Sequence, residues 1–310
     1  MIINRMSSNS YNIAVLVTCH NRRKKTLESL HSLFASLDTY NQSGVDKPLI
    51  IKLFLTDDGC TDQTKETVLK EFKGKDIEII DGNGNLFWAG GMRVAWSAAI
   101  KDSKDWDFYL LLNDDTILYK DALIELIKTH SYALCTYKKA GVYSGVVCST
   151  HNKDEITYGG KIYTSRFIGK SESIIPNGVP QECQLTNANI LLVSKDVQKE
   201  IGILDPDYRH SCADWAYGIE ASKKGFPVLI TSKVCGTCDN DHDSELKVRD
   251  KLRKMSLKER YEYFSFPTHS TKDILVFMWH YNKLKFFMVI IARTINILFP
   301  NLYYKLDKQR

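Results

Sequence analysis

The sequence has 310 residues, 44% of them hydrophobic and 25% charged, with a formal net charge of +5. This is the composition of an ordinary globular protein and excludes a low-complexity chain, and the length allows a full core in one large domain or two small ones. The first residues, MIINRMSSNSYN, lack the apolar segment of a secretory signal, so we expect a cytoplasmic protein with reduced cysteines.

Residues 12–130 alternate short apolar runs with amphipathic stretches. Apolar, β-branched runs indicate buried strands, and apolar residues at helical spacing indicate helices. The predicted strands are 12–21, 49–59, 77–81 and 108–116, and the predicted helices are 23–37, 61–72, 92–100 and 120–130. Such alternation predicts a parallel α/β sheet.

Polar residues gather where each of these strands ends, at 18–22, 56–62, 82–91 and 113–116. In parallel α/β sheets ligands bind beyond the carboxyl ends of the strands, so the coincidence predicts a binding site along one edge. A single acid in such a place is more often a turn or cap residue. Four clusters on one edge favour a site.

The residue types at this edge suit a diphosphate bound together with a metal ion. Asp115, with Asp114 beside it, offers the carboxylate oxygens that Mg²⁺ or Mn²⁺ takes, often together with substrate phosphates. Gly90 and Gly91, at the expected start of a helix, would let a diphosphate approach backbone N–H groups.

Asp57 and Asp58 could supply the fixed acceptors that a nucleobase and a ribose need. The rival nucleotide site is that of a dinucleotide-binding Rossmann domain. The glycines of GNGNLFWAGG lack the G-x-G-x-x-G spacing and follow the third strand instead of the first, which disfavours a dehydrogenase.

Residues 141–240 alternate less regularly. The runs 140–148, 156–163, 183–195 and 226–236 predict strands of a mixed sheet. A helix is predicted at 213–225, with Asp214 in its first turn and Gly225 at its end. Cys235 and Cys238 form a lone C-x-x-C, and a zinc site would need a second pair, so we expect no zinc there.

The last part of the chain is basic, aromatic and apolar. Residues 246–310 contain 14 Lys and Arg against 5 Asp and Glu, which indicates an anionic surface, membrane or nucleic acid, as partner. The longest apolar run, FFMVIIA, is too short to span a bilayer. Two interpretations stay open, a helix lying at a membrane interface and a helix packed on the body of the protein.

The motifs VLVTCHNR, LTDDGCTD, GNLFWAGGMRVAW, LLNDDT and DWAYGIEASKKGF follow one another over residues 12–240. In order and spacing they resemble family 2 glycosyltransferases, in particular bacterial enzymes similar to rhamnosyl- and galactofuranosyltransferases of surface polysaccharide synthesis. The resemblance implies the GT-A fold, a Rossmann-like mixed α/β sheet flanked by helices, here with a C-terminal helical extension. It implies a nucleotide-sugar-binding half at 1–130, an acceptor-binding and catalytic half at 131–243, and a basic amphipathic helical tail at 244–310.

The activity that the resemblance implies is an inverting transfer of sugar from a UDP or dTDP donor to a glycan or lipid-linked acceptor. On the donor side, the residues implied around the nucleotide sugar are Thr18, Arg22, Asp57, Asp58, Asn85, Gly90, Gly91, Asn113 and Asp114. Asp115 matches the metal ligand of the family's DxD motif, for Mg²⁺ or Mn²⁺. His242, in DNDHD, is a further candidate ligand, although a lone surface histidine among acids is more often solvated.

Asp214 matches the family's catalytic base, which would take the proton of the acceptor hydroxyl; the alternative is an ordinary acid at a helix start. Asn187 and Trp215 are implied on the acceptor side. Several departures from the family pattern leave the preference for donor and acceptor open, including Ala216, Glu220 and Arg93 at positions where relatives carry other residues. Asn113 replaces the first acid of DxD, and Ala213 replaces the Glu that precedes the base.

The tail would hold the enzyme at the inner face of the plasma membrane, near a lipid-linked acceptor, and no nucleic-acid partner is expected. Two other classes stay open. A sugar-phosphate nucleotidyltransferase normally has a Gly-rich phosphate loop after its first strand, where TCHNRRKK has no glycine. A non-catalytic glycan- or nucleotide-binding scaffold would keep its function without Asp115 or Asp214.

Overall fold

The computed structural model describes residues 10–167, 169–239, 245–269 and 271–307. Its strands are β1 (Tyr11–Cys19), β2 (Leu49–Asp57), β3 (Ile77–Asp81), β4 (Phe108–Leu112), β5 (Ile117–Leu118), β6 (Val142–Cys148), β7 (Ile156–Tyr158), β8 (Gly160–Ser165), β9 (Lys170–Ser173), β10 (Gln181–Glu182), β11 (Leu185–Thr186), β12 (Ile190–Ser194) and β13 (Val228–Thr237). Its helices are α1 (Arg23–Gln42), α2 (Thr64–Glu71), α3 (Phe87–Lys101), α4 (Ala122–Tyr137), α5 (Lys195–Ile201), α6 (Ala213–Lys223), α7 (Glu245–Lys254), α8 (Leu257–Ser265), α9 (Thr271–Tyr281), α10 (Lys283–Leu298) and α11 (Pro300–Asp307).

One large sheet forms the centre, in the order β10, β13, β6, β12, β4, β1, β2, β3, with β5 paired to β13 and β7 to β6. Strands β4, β1, β2 and β3 run parallel, which confirms the parallel half predicted from the strand–helix alternation. Strand β12 runs antiparallel between β4 and β6 and makes the whole sheet mixed. A small second sheet contains β11, β8 and β9.

The central strands are buried on both faces, which explains their continuous apolar runs. In β1, Val15 and Val17 belong to the same core as Leu33 of α1. The alternate residue Leu16 belongs to the opposite core, with Trp96 of α3. Helices therefore cover both faces of the sheet.

Several predicted boundaries differ from those of the structure, and two of the differences lie at the candidate site. The third helix begins at Phe87, five residues earlier than expected, because Asp58 accepts hydrogen bonds from the N–H groups at its start. Strand β4 ends at Leu112, because residues 113–116 form a turn in which the N–H of Thr116 donates to the oxygen of Asn113 at 3.2 Å.

The C-terminal helices differ in how far they are buried against the rest of the protein. Helix α9 packs against Trp215 of α6 through Phe277, which is buried in the core on the α3 side. Helix α10 instead exposes an apolar face that contains Leu284, Phe287, Met288, Ile291 and Leu298. In the part of the chain that the structure describes, no helix has the length and apolar character needed to cross a membrane.

Candidate active site

The carboxyl ends of the parallel strands meet at one edge of the sheet. Cys19 at the end of β1 lies opposite Asp57 at the end of β2, and Asp57 lies opposite Asp81 at the end of β3. On the other side of β1, Leu16 lies opposite Leu111, one residue before β4 ends. This register brings the polar residues after β1, β2 and β4 into one neighbourhood.

The guanidinium group of Arg22 bridges the two acids that follow β4. Its Nη1 donates to Asp114 Oδ1 at 3.1 Å, and its Nη2 donates to Asp115 Oδ2 at 2.5 Å. Arg22 is the residue before α1, which follows β1 directly, and so stands beside the turn after β4. A cation between two carboxylates offsets the cost of placing both at a largely buried strand end.

Asp114 is the more buried of the two acids, with 7% of its side chain exposed against 14% for Asp115. Burial raises the pKa of Asp114 to about 7, because a buried carboxyl favours its neutral form, and the charge of Arg22 opposes this shift. Oδ1 of Asp115 accepts a hydrogen bond from the Cys238 thiol, with 3.6 Å between sulfur and oxygen.

The carboxylates of Asp114 and Asp115 suit a divalent metal ion that binds to few protein groups. Asp115 and Asp114 offer the carboxylate oxygens that Mg²⁺ and Mn²⁺ prefer, and such ions often bind one or two carboxylates plus substrate phosphates. The side-chain oxygen of Asn113 accepts a hydrogen bond from Trp88 Nε1 at 2.7 Å. Over the described residues, no cluster of three or more His, Cys, Asp or Glu side chains is placed to hold a metal. His242 lies outside the described residues.

Asp58 shapes the Gly-rich loop between β3 and α3. Its Oδ1 accepts a hydrogen bond from the N–H of Gly84 at 2.8 Å. Its Oδ2 accepts from the N–H groups of Leu86 and Phe87 at 2.9 and 3.1 Å. Oδ1 thus binds the loop and Oδ2 binds the start of α3, where a negative charge also suits the helix dipole. Contact with a donor ribose or base stays a prediction for Asp58.

Asp57 is buried at the end of β2. Its Oδ1 accepts a hydrogen bond from the N–H of Cys60 at 2.7 Å, which closes the turn after the strand. This is the local contact expected of a turn acid. Recognition of a nucleobase by Asp57 stays a prediction.

Gly90 and Gly91 lie within α3, since the helix begins at Phe87, and the expectation that they open it is wrong. Gly91 allows close packing on the sheet, because a Cβ there would lie 2.0 Å from Thr18 Oγ1. The hydroxyl of Thr56 donates to the oxygen of Gly91 at 2.9 Å. A Cβ on Gly90 would lie 3.3 Å from its nearest neighbour. The approach of a diphosphate to this pair stays a prediction.

Asn85, on the Gly-rich loop, is bound by Arg209 from the segment before α6. Nη2 of Arg209 donates to the backbone oxygen of Asn85 at 3.2 Å and to its Oδ1 at 2.7 Å. Nothing in the sequence indicated this pair, because the two residues are far apart in the chain and Arg209 belongs to no recognised motif. The structure therefore adds an exposed cation to the site.

Asp214 lies half-buried at the start of α6. Its Oδ2 accepts a hydrogen bond from the N–H of Ala188 at 3.1 Å, and its Oδ1 accepts from the N–H of Trp215 at 2.9 Å. Burial raises the pKa of Asp214 to about 6, while these bonds and one from the Asn187 side chain oppose the rise. A fixed carboxylate with a pKa near neutrality suits a general base.

The two residues expected on the acceptor side lie next to Asp214. The Asn187 side chain hydrogen-bonds to it, and Trp215 follows it on α6. The Trp215 ring packs edge-on against Phe277 of α9, with ring centres 5.8 Å apart, and Lys161 Nζ lies 5.7 Å from the Trp215 ring centre. Contact of Asn187 and Trp215 with an acceptor sugar stays a prediction.

The model of the family described as Glycosyl transferase family 2 matches residues 14–174, more than half of the chain. The chain belongs to this family. The match includes Thr18, Asp58 and Asp115, and it ends before Asp214. No curated protein matches the sequence.

Among solved structures, the chain is similar to the mannosyltransferase PcManGT from Pyrobaculum calidifontis in complex with GDP-Man and Mn²⁺. The TM-score is 0.53 at 11% identity, over 84% of this chain and 66% of that one. Residues 1–349 of S. aureus TarS give a TM-score of 0.49 at 15% identity, over 82% and 65% of the two chains. The TarS complex with UDP-GlcNAc gives 0.47 at 15% identity, over 82% and 66%.

The chain thus spans about two thirds of the length of these solved chains. At such identities the likeness is one of fold. Together with the family match, the mixed α/β sheet and its flanking helices confirm the expected GT-A fold.

Proposed function

We propose that this protein is an inverting glycosyltransferase that moves a sugar from a UDP or dTDP donor to a hydroxyl group of a glycan or lipid-linked acceptor. The observation that carries the proposal is Asp214. In a chain of family 2, a carboxylate with a pKa of about 6 lies at a helix start, with hydrogen bonds to both of its oxygens. The match of the DWAYGIEASKKGF motif to the family's base segment supports the same role.

In the proposed reaction, Asp214 accepts the proton of the acceptor hydroxyl while that oxygen forms a bond to the anomeric carbon. The bond between the anomeric carbon and the diphosphate oxygen breaks, and its electron pair leaves with the nucleoside diphosphate. Attack from the face opposite the leaving group inverts the anomeric centre. Asn187, which hydrogen-bonds to Asp214, would orient the carboxylate and meet acceptor hydroxyls.

Asp115, with Asp114, would hold Mg²⁺ or Mn²⁺ on the donor side. Such an ion, when bound, offsets the negative charge of the departing diphosphate. The Mn²⁺ complex of the similar mannosyltransferase is consistent with this assignment. Arg22 contacts both carboxylates, so its guanidinium would share their oxygens with the ion and face the same diphosphate.

The donor would lie against the half of the chain at 1–130, and the acceptor against 131–243. The loops after β1, β2 and β3 would enclose the nucleotide, and Asp57 would face the base. The resemblance of the motifs to rhamnosyl- and galactofuranosyltransferases supports a role in bacterial surface polysaccharide synthesis. Rhamnose and galactofuranose are therefore the sugars to test first.

We also propose that α10 lies on the inner face of the plasma membrane, within the basic tail at 244–310. Its apolar face is exposed, with Phe287 at 57% and Ile291 at 59%, and the tail carries a surplus of basic residues that suits anionic lipid. A cavity of about 870 Å³ lies beside this helix, and its lining mixes apolar side chains such as Phe264 and Trp279 with polar ones, Asp207, Lys272 and His280 among them.

The main experiment measures binding and then turnover. UDP-, dTDP- and GDP-sugars, with and without Mn²⁺, should be screened for a rise in melting temperature, because a ligand that binds the folded state stabilises it. The wild type should then consume the stabilising donor, and Asp214→Asn should consume it about 10²- to 10⁴-fold more slowly. Asp196→Asn is the matched control, since Asp196 is an exposed acid in the first turn of α5. A protein that no nucleotide sugar stabilises would contradict the proposal.

The membrane part is tested separately by co-sedimentation with vesicles of neutral or anionic lipid. We expect binding that depends on anionic lipid and is lost in the Phe287→Ser, Ile291→Ser double variant. Ile50→Ser is the control, because Ile50 is similarly exposed but lies on β2. Equal binding by the double variant would rule out α10 as the contact.

A further inference from the structure

Arg209 places a guanidinium group on the Gly-rich loop of the donor side. It donates two hydrogen bonds to Asn85, to the backbone oxygen and to Oδ1, and its guanidinium carbon lies 4.7 Å from the centre of the Phe87 ring. The side chain is exposed, so a ligand can reach it. The same segment, 202–212, leads directly into Asp214 at the start of α6.

The loop that Arg209 contacts is fixed to the strand-end site at two points. Before Asn85, the carboxylate of Asp58 binds the N–H of Gly84. After it, Nε1 of Trp88 donates to the side chain of Asn113, directly before the two acids that follow β4. The position of Arg209 is therefore tied to the edge where the diphosphate is expected.

Asp273 of α9 fixes the backbone of the segment that carries Arg209. It is fully buried, and its Oδ2 accepts hydrogen bonds from three consecutive N–H groups, those of Arg209 at 3.3 Å and of His210 and Ser211 at 2.8 Å each. Consecutive N–H groups around one anion form a nest. Burying a carboxylate is costly without such bonds, and its Oδ1 has no hydrogen-bond partner within the described ranges.

The segment 202–212 and helix α9, which meet at Asp273, are each fixed by a further contact. Nη1 of Arg93 in α3 donates to the backbone oxygens of Tyr208 at 2.7 Å and Asp205 at 3.0 Å. Helix α9 is anchored on α6 by the packing of Phe277 against Trp215. The segment 202–212 thus lies between α3 and α9, with its backbone fixed and the Arg209 side chain on its surface.

We propose that Arg209 binds the diphosphate of the donor and that Asp273 is the positioning residue that sets the Arg209 backbone for it. The inference rests on the proposed function and deepens it, because it adds a donor ligand from the acceptor-side half of the chain. A planar guanidinium can donate two parallel hydrogen bonds to phosphate oxygens. It would exchange the Asn85 oxygens for those of the diphosphate, whose negative charge grows as the glycosidic bond breaks.

The first test measures the affinity of UDP and dTDP by titration calorimetry, with and without Mn²⁺, and uses uridine and thymidine as probes without phosphate. Arg209→Gln should weaken diphosphate binding about 10- to 100-fold and leave nucleoside binding within about twofold. The diphosphate affinity of Arg209→Lys should lie between those of the wild type and Arg209→Gln, because lysine keeps the positive charge and lacks the planar guanidinium group. Arg166→Gln, a change at an exposed arginine in the β8–β9 turn, should bind like the wild type.

The second test is a double-mutant cycle on the same binding constants. Asp273→Asn should weaken UDP binding about 10-fold in the wild type and by less than about twofold in Arg209→Gln, since it acts through Arg209. A merely structural effect of Asp273 would be equal in both backgrounds. Asp196→Asn serves as the control acid. If Asp273→Asn fails to fold, the exposed Arg209 variants still decide the diphosphate contact.

The outcomes separate this inference from the proposed function. A wild type that binds UDP or dTDP, with Arg209→Gln binding them equally well, overturns the Arg209 assignment alone. Equal effects of Asp273→Asn in both backgrounds overturn the positioning role. A wild type that binds neither nucleotide, with or without Mn²⁺, overturns the proposed function and this inference together.

Discussion

The proposed role of Asp214 makes the rate depend on pH in a defined direction. A general base works only when it is ionised, and burial raises the pKa of this carboxyl to about 6. The rate should therefore be full above pH 7 and fall as the pH drops through 6. With this pKa, the ionised fraction decreases about tenfold between pH 7 and pH 5, and kcat should decrease by the same factor.

Replacing the carboxylate should remove both the rate and its pH dependence. Asp214→Asn keeps the size of the side chain, and its amide oxygen can still accept a hydrogen bond from Ala188 or Trp215. It cannot take a proton, so kcat should fall about 10²- to 10⁴-fold. The residual activity should be flat between pH 5 and pH 8.

The assay follows release of the nucleoside diphosphate, at saturating donor and acceptor for kcat and at donor concentrations below KM for kcat/KM. The pH profile of kcat reports the ionisations of the complex, and that of kcat/KM reports those of the free enzyme. The distinction matters because Asp114, with a pKa of about 7, also titrates in this range. Asp114→Asn should therefore change the profile of kcat/KM for the donor more than that of kcat. A flat kcat in the wild type, or an acid limb that survives in Asp214→Asn, would refute Asp214 as the base.

Three further predictions concern folding and are measured by urea unfolding. Asp58→Asn should lower the free energy of unfolding by about 2 kcal/mol, because it weakens the hydrogen bonds to the start of α3, whereas Asp81→Asn on the exposed end of β3 should change it by less than about 0.5 kcal/mol. Gly91→Ala should lower the free energy of unfolding by about 1–3 kcal/mol, because its methyl group would lie 2.0 Å from the hydroxyl oxygen of Thr18 in β1. Gly90→Ala should lower it by less than about 1 kcal/mol, and equal effects of the two changes would contradict the packing argument. Folding raises the pKa of Asp114 to about 7, so the folded protein holds this proton more tightly than the unfolded chain does. The resulting stabilisation is complete below about pH 4 and is lost as the pH rises through 7. Between pH 5 and pH 8 the free energy of unfolding of the wild type should therefore fall by about 2–3 kcal/mol more than that of Asp114→Asn.

Features encoded by local sequence pattern could be predicted. The apolar runs identified β1 to β4, and their order along the chain placed Asp57 and the acids after β4 at the same edge of the sheet. Apolar periodicity and strand–helix alternation need only neighbouring residues, so one sequence suffices to read them.

Pairings between distant residues could not be predicted in this way. Arg22 meets the two acids after β4 only because β1 and β4 are neighbours in the sheet, and the sequence alone does not show which cation approaches them. The early start of α3 depends on Asp58, which lies 28 residues before Leu86. Burial of Asp273 depends on packing of the C-terminal helices, for which the sequence left two interpretations open.

The buried carboxylate on α9 also determines where this protein can be shortened. A fragment ending after β13 would keep the whole sheet, the acids after β4 and Asp214 itself, and it would extend well past the family match. It would nevertheless lose Phe277 and Asp273, uncover the Trp215 ring, and leave three backbone N–H groups beside Asp214 with water in place of their anion. The smallest fragment that keeps the surroundings of Asp214 intact therefore extends to the end of α9, and a shorter one should be folded at the sheet and poorly ordered around Asp214.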